Sequence, residues 1–221
     1  GCFVQVEVSS GVFPVLRRPF TVSDCRMNEN DRRTLLIIFE VKGRGTRLLA
    51  GTSAGQELRV LGPLGKGYSK RPGEWLLVGG GMGAAGFPWL ARSVDGCTVL
   101  LGASSENRLI RLPDFKCLEA TEDGSAGEKG LVTSLLEGMD ISSFSTVAVC
   151  GPVAMMRAVM NSLPRESRDI VQVSTEARMG CGWGVCEGCS IPAADGGYLK
   201  CCTDGPVMSA SLIDWERWKG I

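Results

Sequence analysis

Hydrophobic and polar residues alternate over residues 2–8, CFVQVEV, as in a strand with one buried face. LLIIFEVK (35–42) is a stronger apolar run with a β-branched pair, and ELRVLGPLG (57–65) is a third, ended by Gly and Pro. Short strands separated by turn residues predict a small antiparallel barrel or sandwich over residues 1–73. From residue 74 the pattern changes. EWLLVGGGMGAAGFPWLARSV (74–94) reads as strand, glycine turn and helix, and CTVLLGAS (97–104) as a second buried strand. KCLEATED (116–123) is a weaker third strand, and STVAVCGP (145–152) is a strand that stops at Gly-Pro. GLVTSLLEGM (130–139) and AMMRAVMNSL (154–163) predict helices. Strands alternating with helical segments mean βαβ units and a parallel sheet over 74–170. Over 171–221 the periodicity fades, and Cys and Gly take over.

The 221 residues are enough for a buried core without disulfides. Lys plus Arg equals Asp plus Glu, and nothing forms the basic stripe of a nucleic-acid binder. There is no histidine, which excludes His-based triads, His general bases and His-ligated metals. No apolar run reaches the roughly 18–20 residues of a membrane span. Ten cysteines crowd toward the C-terminal end instead of being spaced as staples. That distribution points to a reducing, cytoplasmic setting and to thiolates that hold a metal or a cluster.

The sharpest motif is MGCGWGVCEGC (179–189), in which Cys181, Cys186 and Cys189 are spaced C-x4-C-x2-C. This is the spacing of plant-type 2Fe-2S sites, which take a fourth, more distant Cys. Glycines at 180, 182, 184 and 188 let such a loop wrap closely and aim N–H groups at sulfur. A structural zinc site with four cysteines is the competing reading, but zinc knuckles usually come as two CxxC-like pairs and here there is one. Spacing leaves Cys201 and Cys202, in KCCTDGPV, as equal candidates for the fourth ligand.

VGGGMG (78–83) follows a strand and opens a helix, as a pyrophosphate-binding turn does, although it is not a clean GxGxxG and also suits a plain tight turn. VCGPVAMM (149–156) ends a second strand and would face the same site. RRPFTV (17–22) combines a phosphate-pairing Arg, an aromatic and a hydroxyl, and equally suits a surface turn. KGRGTRLL (42–49) is either a phosphate cradle or a plain capped helix. Gly86 stands where a helix prefers a better former, which predicts a slightly looser helix with no change of role. Trp215 and Trp218 are read as packing the C-terminal tail, with a partner interface as the alternative.

Taken in order, these motifs resemble the electron-transfer subunits of class 1B dihydroorotate dehydrogenase, within the ferredoxin-reductase superfamily. The resemblance runs through FVQVEV, LRRPFTVS, VKGRGTRLL, LGPLGKGY, LLVGGGMGAAGFPWLA, VCGPVAMM, STEARMGCGWGVCEGC and CCTDGPV. It implies an α+β multidomain fold: an FAD-binding β-barrel (1–73), a Rossmann-like NAD domain (74–170) and a 2Fe-2S segment (171–221). The family carries one or two barrel strands before FVQVEV, so the expected barrel is shortened at its N-terminus.

The resemblance also implies residue roles. Arg18 contacts flavin phosphate, next to Pro19; Phe20 stacks on the flavin ring; Thr21 brings a hydroxyl near the reactive nitrogen. Gly43, Gly45 and Thr46 form the pyrophosphate-side turn. Gly80, Gly81 and Gly83 form the nucleotide loop. Cys150, Gly151 and Pro152 lie beside the nicotinamide, with Thr21 and Cys150 at the chemistry. Cys181, Cys186 and Cys189 ligate the cluster. The family ends its cluster segment with Cys, any residue and DGPV, so Cys202 is the implied fourth ligand. The implied function is electron transfer from a partner's FMN, reduced by dihydroorotate in pyrimidine biosynthesis, through the cluster and FAD to NAD+. The implied assembly is a two-plus-two heterotetramer, without nucleic acid or a membrane span. Two alternatives stand. One is a sibling subunit serving an NAD(P)-ferredoxin oxidoreductase or sulfite reductase. The other is a non-catalytic binding protein stabilised by zinc.

Overall fold

The structure is a computed structural model that describes residues 1–9, 11 and 13–220. The N-terminal part contains β1 (Phe3–Val6), β2 (Arg18–Thr21), β3 (Asp24–Met27), β4 (Arg33–Leu36), α1 (Arg44–Ala50) and β5 (Val60–Leu64). β1 is the central strand of a three-stranded antiparallel sheet ordered β2-β1-β5, and β3 and β4 form a separate ribbon. Together they wrap a small core of Val4, Val6, Val8, Phe20 and Val22. Among the described residues these strands form two small antiparallel sheets, of three and of two strands.

The strand expected over 35–42 ends at Leu36. Beyond it, Ile37 and Phe39 pack on the small core without joining a ladder, and Val41 is exposed. Apolar alternation buries side chains whether or not a neighbouring strand is present to pair the backbone.

The second part contains β6 (Glu74–Gly80), α2 (Phe87–Ala91), β7 (Gly96–Ala103), β8 (Cys117–Thr121), β9 (Glu128–Lys129), β10 (Thr146–Cys150), α3 (Val153–Ser162) and β11 (Val171–Ser174). The C-terminal part adds β12 (Ser190–Pro192), β13 (Tyr198–Lys200) and β14 (Val207–Ser209). A seven-stranded sheet runs β14-β11-β10-β6-β7-β8-β9. It is parallel except for β14, which pairs antiparallel with β11.

Residues on the central strands alternate between two cores. Trp75, Leu77, Val99 and Leu101 face one, while Leu76, Val78, Leu100 and Val149 face the other. Burial on both faces is why these strands read as continuous apolar runs. Each fully buried side chain of this kind contributes about 1.5–3 kcal/mol.

β11 lies just past residue 170, where the second module was expected to end, and four residues are too few to display a period. The helix expected over 130–139 is only a short 3-10 turn, Ser134–Leu136. Gly130 and Gly138 bracket the segment at positive φ, and the Ser134 hydroxyl donates to the Leu131 carbonyl, a local bond that competes with a helical ladder.

The last segment is fixed to both other parts. Lys66 N–H donates to the Gly205 carbonyl, and Thr175 N–H to that of Pro206. Trp218 is buried with its ring 5.7 Å from that of Trp215, and an Arg157 guanidinium N–H donates to the carbonyls of both. The two tryptophans therefore pack the tail onto α3, in a turn that is not helical.

Candidate functional site

Sheet order reverses between β6 and β10: the chain runs from β6 out through β7 and β8, then returns to β10 and β11 on the other side. Ligands of open α/β sheets bind in the crevice at the carboxyl ends of the strands at such a reversal. Two glycine turns meet there. A Cβ on Gly83 would collide with the Cys150 carbonyl and lie 2.6 Å from Gly151 N, and one on Gly80 would strike Met155 and Pro152. Gly81 has φ +49. Gly80, Gly81, Gly83, Cys150, Gly151 and Pro152 are thus brought together, and close backbone approach accounts for the glycines. Burial pushes the Cys150 thiol up to about 11 against a hydrogen bond with Ser174, which keeps it protonated. The glycine-rich stretch Gly81–Gly86 is a 3-10 turn leading into α2. Gly86 has its own reason: a Cβ there would lie 2.8 Å from the Thr21 methyl. Thr21 is therefore held at the seam between the first part and the sheet.

β2 carries the remaining flavin-site expectations. Its residues pair with β1 as Arg18 with Val6, Pro19 with Gln5, Phe20 with Val4 and Thr21 with Phe3. Arg18 lies across the start of α1, with Nε 2.6 Å from where a Gly45 Cβ would stand. Its guanidinium donates to the Leu16 carbonyl at 2.6 Å. The Thr46 hydroxyl accepts the N–H groups of Lys42 and Gly43, each at 3.0 Å, and donates to the Gly43 carbonyl. It is spent on shaping the turn. Phe20 is only 9% exposed and tilts at 57° on Phe39, with centroids 5.4 Å apart. It is a core ring, where a stacking platform was expected.

The cysteine loop is built from glycines at positive φ. Gly182 (φ +85) has no room for a Cβ beside Gln5, and Gly184 (φ +89) none beside Thr203. Glu187, at φ +57, is tied by its carboxylate to Lys200 at 2.9 Å, and Lys200 also donates to the Gly184 carbonyl. Among the described residues, no three His, Cys, Asp or Glu side chains close on one point as a single metal ion requires.

The thiols pair off instead. Cys181 N–H donates to Cys186 Sγ at 3.4 Å, and Cys186 N–H to Cys181 Sγ at 3.5 Å. Cys189 Sγ lies 3.2 Å from Cys202 Sγ. Trp183 N–H donates to Cys181 Sγ, and Gly184 N–H to Cys202 Sγ at 3.1 Å. Cys201 turns away into the core, where its sulfur accepts the Thr175 hydroxyl at 3.3 Å.

The N–H of Cys186, then those of Trp183 and Val185, outweigh burial and lower the Cys181 thiol to about 6. Burial, then the Cys189 thiol beside it, push Cys202 up to about 12. Two sulfur pairs cradled by amide N–H groups fit the two irons of a 2Fe-2S cluster, each taking two thiolates. An open recess of ≈ 290 Å³ adjoins them, between Pro63–Lys66 and Gly182, Trp183, Cys202 and Thr203.

Several neighbours of these sites escape sequence reading. Gln5 looks like a solvent-facing position in the FVQVEV alternation, yet it is fully buried against Gly182. Thr175 sets the direction of Cys201. Glu40 holds Arg108 at 2.5 Å, and Glu106 and Glu119 hold Arg111, so both arginines after β7 are engaged by carboxylates. Gln5 and Thr175 lie within FVQVEV and STEARMGCGWGVCEGC, but neither motif assigns them these contacts. Only the polar Gln5 between two valines gives a signal.

Residues 176–214 match the family model described as the iron-sulfur cluster binding domain of dihydroorotate dehydrogenase B. The chain is 36% identical to the dihydroorotate dehydrogenase B (NAD(+)) electron transfer subunit of Lysinibacillus sphaericus, covering 96% of this chain and 86% of that one. It is 33% identical to the corresponding subunit of Fusobacterium nucleatum, covering 98% and 87%. Among solved structures, an NADH-dependent reduced ferredoxin-NADP oxidoreductase superposes with a TM-score of 0.79 at 28% identity, covering 98% of this chain and 79% of that one. The ferredoxin reductase of carbazole 1,9a-dioxygenase, with a TM-score of 0.60 at 20% identity over 78% of this chain and 58% of that one, shares the fold.

Proposed function

The chain belongs to the family of dihydroorotate dehydrogenase B electron-transfer subunits, and from that premise we propose which of its residues carry the transfer. It is the NAD+-reducing subunit of an oxidoreductase complex and works with a dihydroorotate-oxidising partner. When bound, a 2Fe-2S cluster and FAD relay electrons from the partner's FMN to NAD+. The protein binds, orients and tunes these groups and needs no acid or base of its own for the last step, in keeping with the absence of His.

Cys181, Cys186, Cys189 and Cys202 would hold the cluster through their thiolates. The observation that carries this is the Cys189–Cys202 sulfur contact together with the reciprocal amide-to-sulfur bonds of Cys181 and Cys186. Arg18, laid across Gly45, offers a guanidinium to the flavin phosphates, and Gly43 and Thr46 shape the turn beneath it. Thr21, held against Gly86 beside Pro19, presents its hydroxyl at the seam, where flavin and nicotinamide would meet. Phe20 supports β2 from within the core. Gly80, Gly81 and Gly83 leave room for the dinucleotide, and Gly151 and Pro152 bound it. A protonated Cys150 lies at the same strand end, where the nicotinamide would sit.

The module division is 1–73, 74–170 and 171–221, with β11 and β14 stitching the third module to the sheet of the second. A heterotetramer of two such chains and two partners, in the cytoplasm, completes the proposal. No helix among the described residues is long and apolar enough to cross a membrane.

The sibling reading, service to a ferredoxin-linked NAD(P) oxidoreductase, is favoured by one observation: the TM-score of 0.79 with such an enzyme. Co-expression with the dihydroorotate-oxidising partner tests both. The expected complex holds iron, sulfide and flavin and reduces NAD+ on addition of dihydroorotate. A complex that responds only to another donor supports the sibling, and a colourless protein with zinc overturns the cluster assignment.

A further inference from the structure

Gln5 is fully buried, and neither its Nε2 nor its Oε1 has a hydrogen-bond partner among the described residues. It sits in the middle of β1, opposite Pro19 on β2 and Leu61 on β5. Val4 and Val6 point into the small N-terminal core, while Phe3, on the same face as Gln5, belongs to the large buried cluster that also holds Cys189, Cys201 and Cys202. Gln5 thus looks out of the flavin-side sheet toward the cysteine loop. Its Nε2 is 2.7 Å, and its Cδ 3.2 Å, from where a Cβ on Gly182 would stand. Gly182 lies between Cys181 and Trp183, whose N–H donates to the Cys181 sulfur.

A buried carboxamide with two donors and an acceptor unpaired costs free energy unless something takes them up. The neighbouring chemistry in need of donors is sulfur, and thiolate or sulfide sulfur accepts N–H groups. We propose that Gln5 is a positioning residue for the cluster, its amide N–H donating to cluster sulfur from the flavin side. The proposal rests on the cluster reading of Cys181, Cys186, Cys189 and Cys202. A donor to sulfur offsets the extra negative charge of the reduced cluster and raises its potential. Gln5 would then set the step between the cluster and the flavin.

The test is an EPR-monitored redox titration of the complex purified with its partner, for wild type, Gln5→Leu and Gln5→Glu. Gln5→Leu keeps volume and removes the donor. It is expected to retain iron and sulfide while the reduced-to-oxidised ratio at fixed poise falls about tenfold, a shift of about 59 mV for one electron. Gln5→Glu keeps the shape, replaces the donor by an acceptor, and is expected to shift the potential at least as far. It carries the comparison if the leucine variant does not fold. A wild-type potential in either folded variant overturns the proposal, because Gln5 would then only fill space. Wild-type protein without iron and sulfide would instead sink the cluster reading on which it rests.

Discussion

The sulfur of Cys202 lies 3.2 Å from that of Cys189, while the sulfur of its chain neighbour Cys201 faces the opposite way and accepts the Thr175 hydroxyl. Both residues lie in the tight turn that follows β13, and of the two it is the Cys202 sulfur that meets a cysteine of the loop. Cys202→Ser is therefore expected to lose the visible absorption bands of the cluster. Cys201→Ser keeps them and loses only some core packing, at a cost of about 1 kcal/mol. Absorption spectra and iron content of the two variants check this, and the reverse pattern would reassign the ligand.

Gly83 lies over the peptide that joins Cys150 to Gly151, with no space for a methyl group. Gly83→Ala must push the two strand ends apart, an overpacking change of about 1–3 kcal/mol. The expected result is a KM for NAD+ raised several-fold, with reduction of the cluster by the partner unchanged. Stopped-flow traces of cluster bleaching, set beside steady-state NAD+ kinetics, separate the two. Unchanged NAD+ kinetics would place the nucleotide elsewhere.

The strands of the large sheet were legible because burial on both faces writes continuous apolar runs, as in LLVGG and VLLGA. The same logic misled at Gln5. Alternation in FVQVEV implies a polar outer face, but the cysteine segment covers that face and takes the residue out of water. The three-residue strands β12, β13 and β14 are too short to show any period. The helix expected over 130–139 failed because two glycines and a serine back-bond outweigh a modest apolar stripe. At the site, spacing reached three cysteines and left Cys201 and Cys202 equal. Their separation depends on which way each side chain points, a tertiary property that no spacing contains.

Glu40 is bonded to Arg108 at 2.5 Å, across from the end of β7, and is 30% exposed. An arginine already paired with a carboxylate is a poor receptor for a ribose phosphate, which favours NAD+ over NADP+. Glu40→Gln removes the charge and frees the guanidinium. The expected outcome is about a tenfold gain in kcat/KM for NADP+, about 1.4 kcal/mol, with NAD+ use little changed. Equal discrimination in the variant would mean that Arg108 does not face the ribose.

Asp24, on β3, accepts a hydrogen bond from the Arg26 guanidinium at 2.5 Å and from Cys25 N–H at 2.8 Å, and pairs with Arg92 at the end of α2. Its side chain is 6% exposed, so it is a buried fastening between the first part and the sheet. Burial alone would raise its carboxyl. The Arg26, Cys25 and Arg92 contacts outweigh that and hold it below the ordinary value of 3.8. The unfolded chain therefore binds this proton more readily than the folded one. The stabilisation is complete above about pH 4, the unfolded value, and is lost as pH falls through the lower folded value. Asp24→Asn is expected to destabilise by about 2 kcal/mol at neutral pH, from lost bonds to charged groups. That deficit should shrink as the wild type is acidified below pH 4. Urea unfolding of both proteins across acid pH measures it, and a deficit independent of pH would mean that packing, and not the charge on Asp24, fastens the seam where Thr21 meets Gly86.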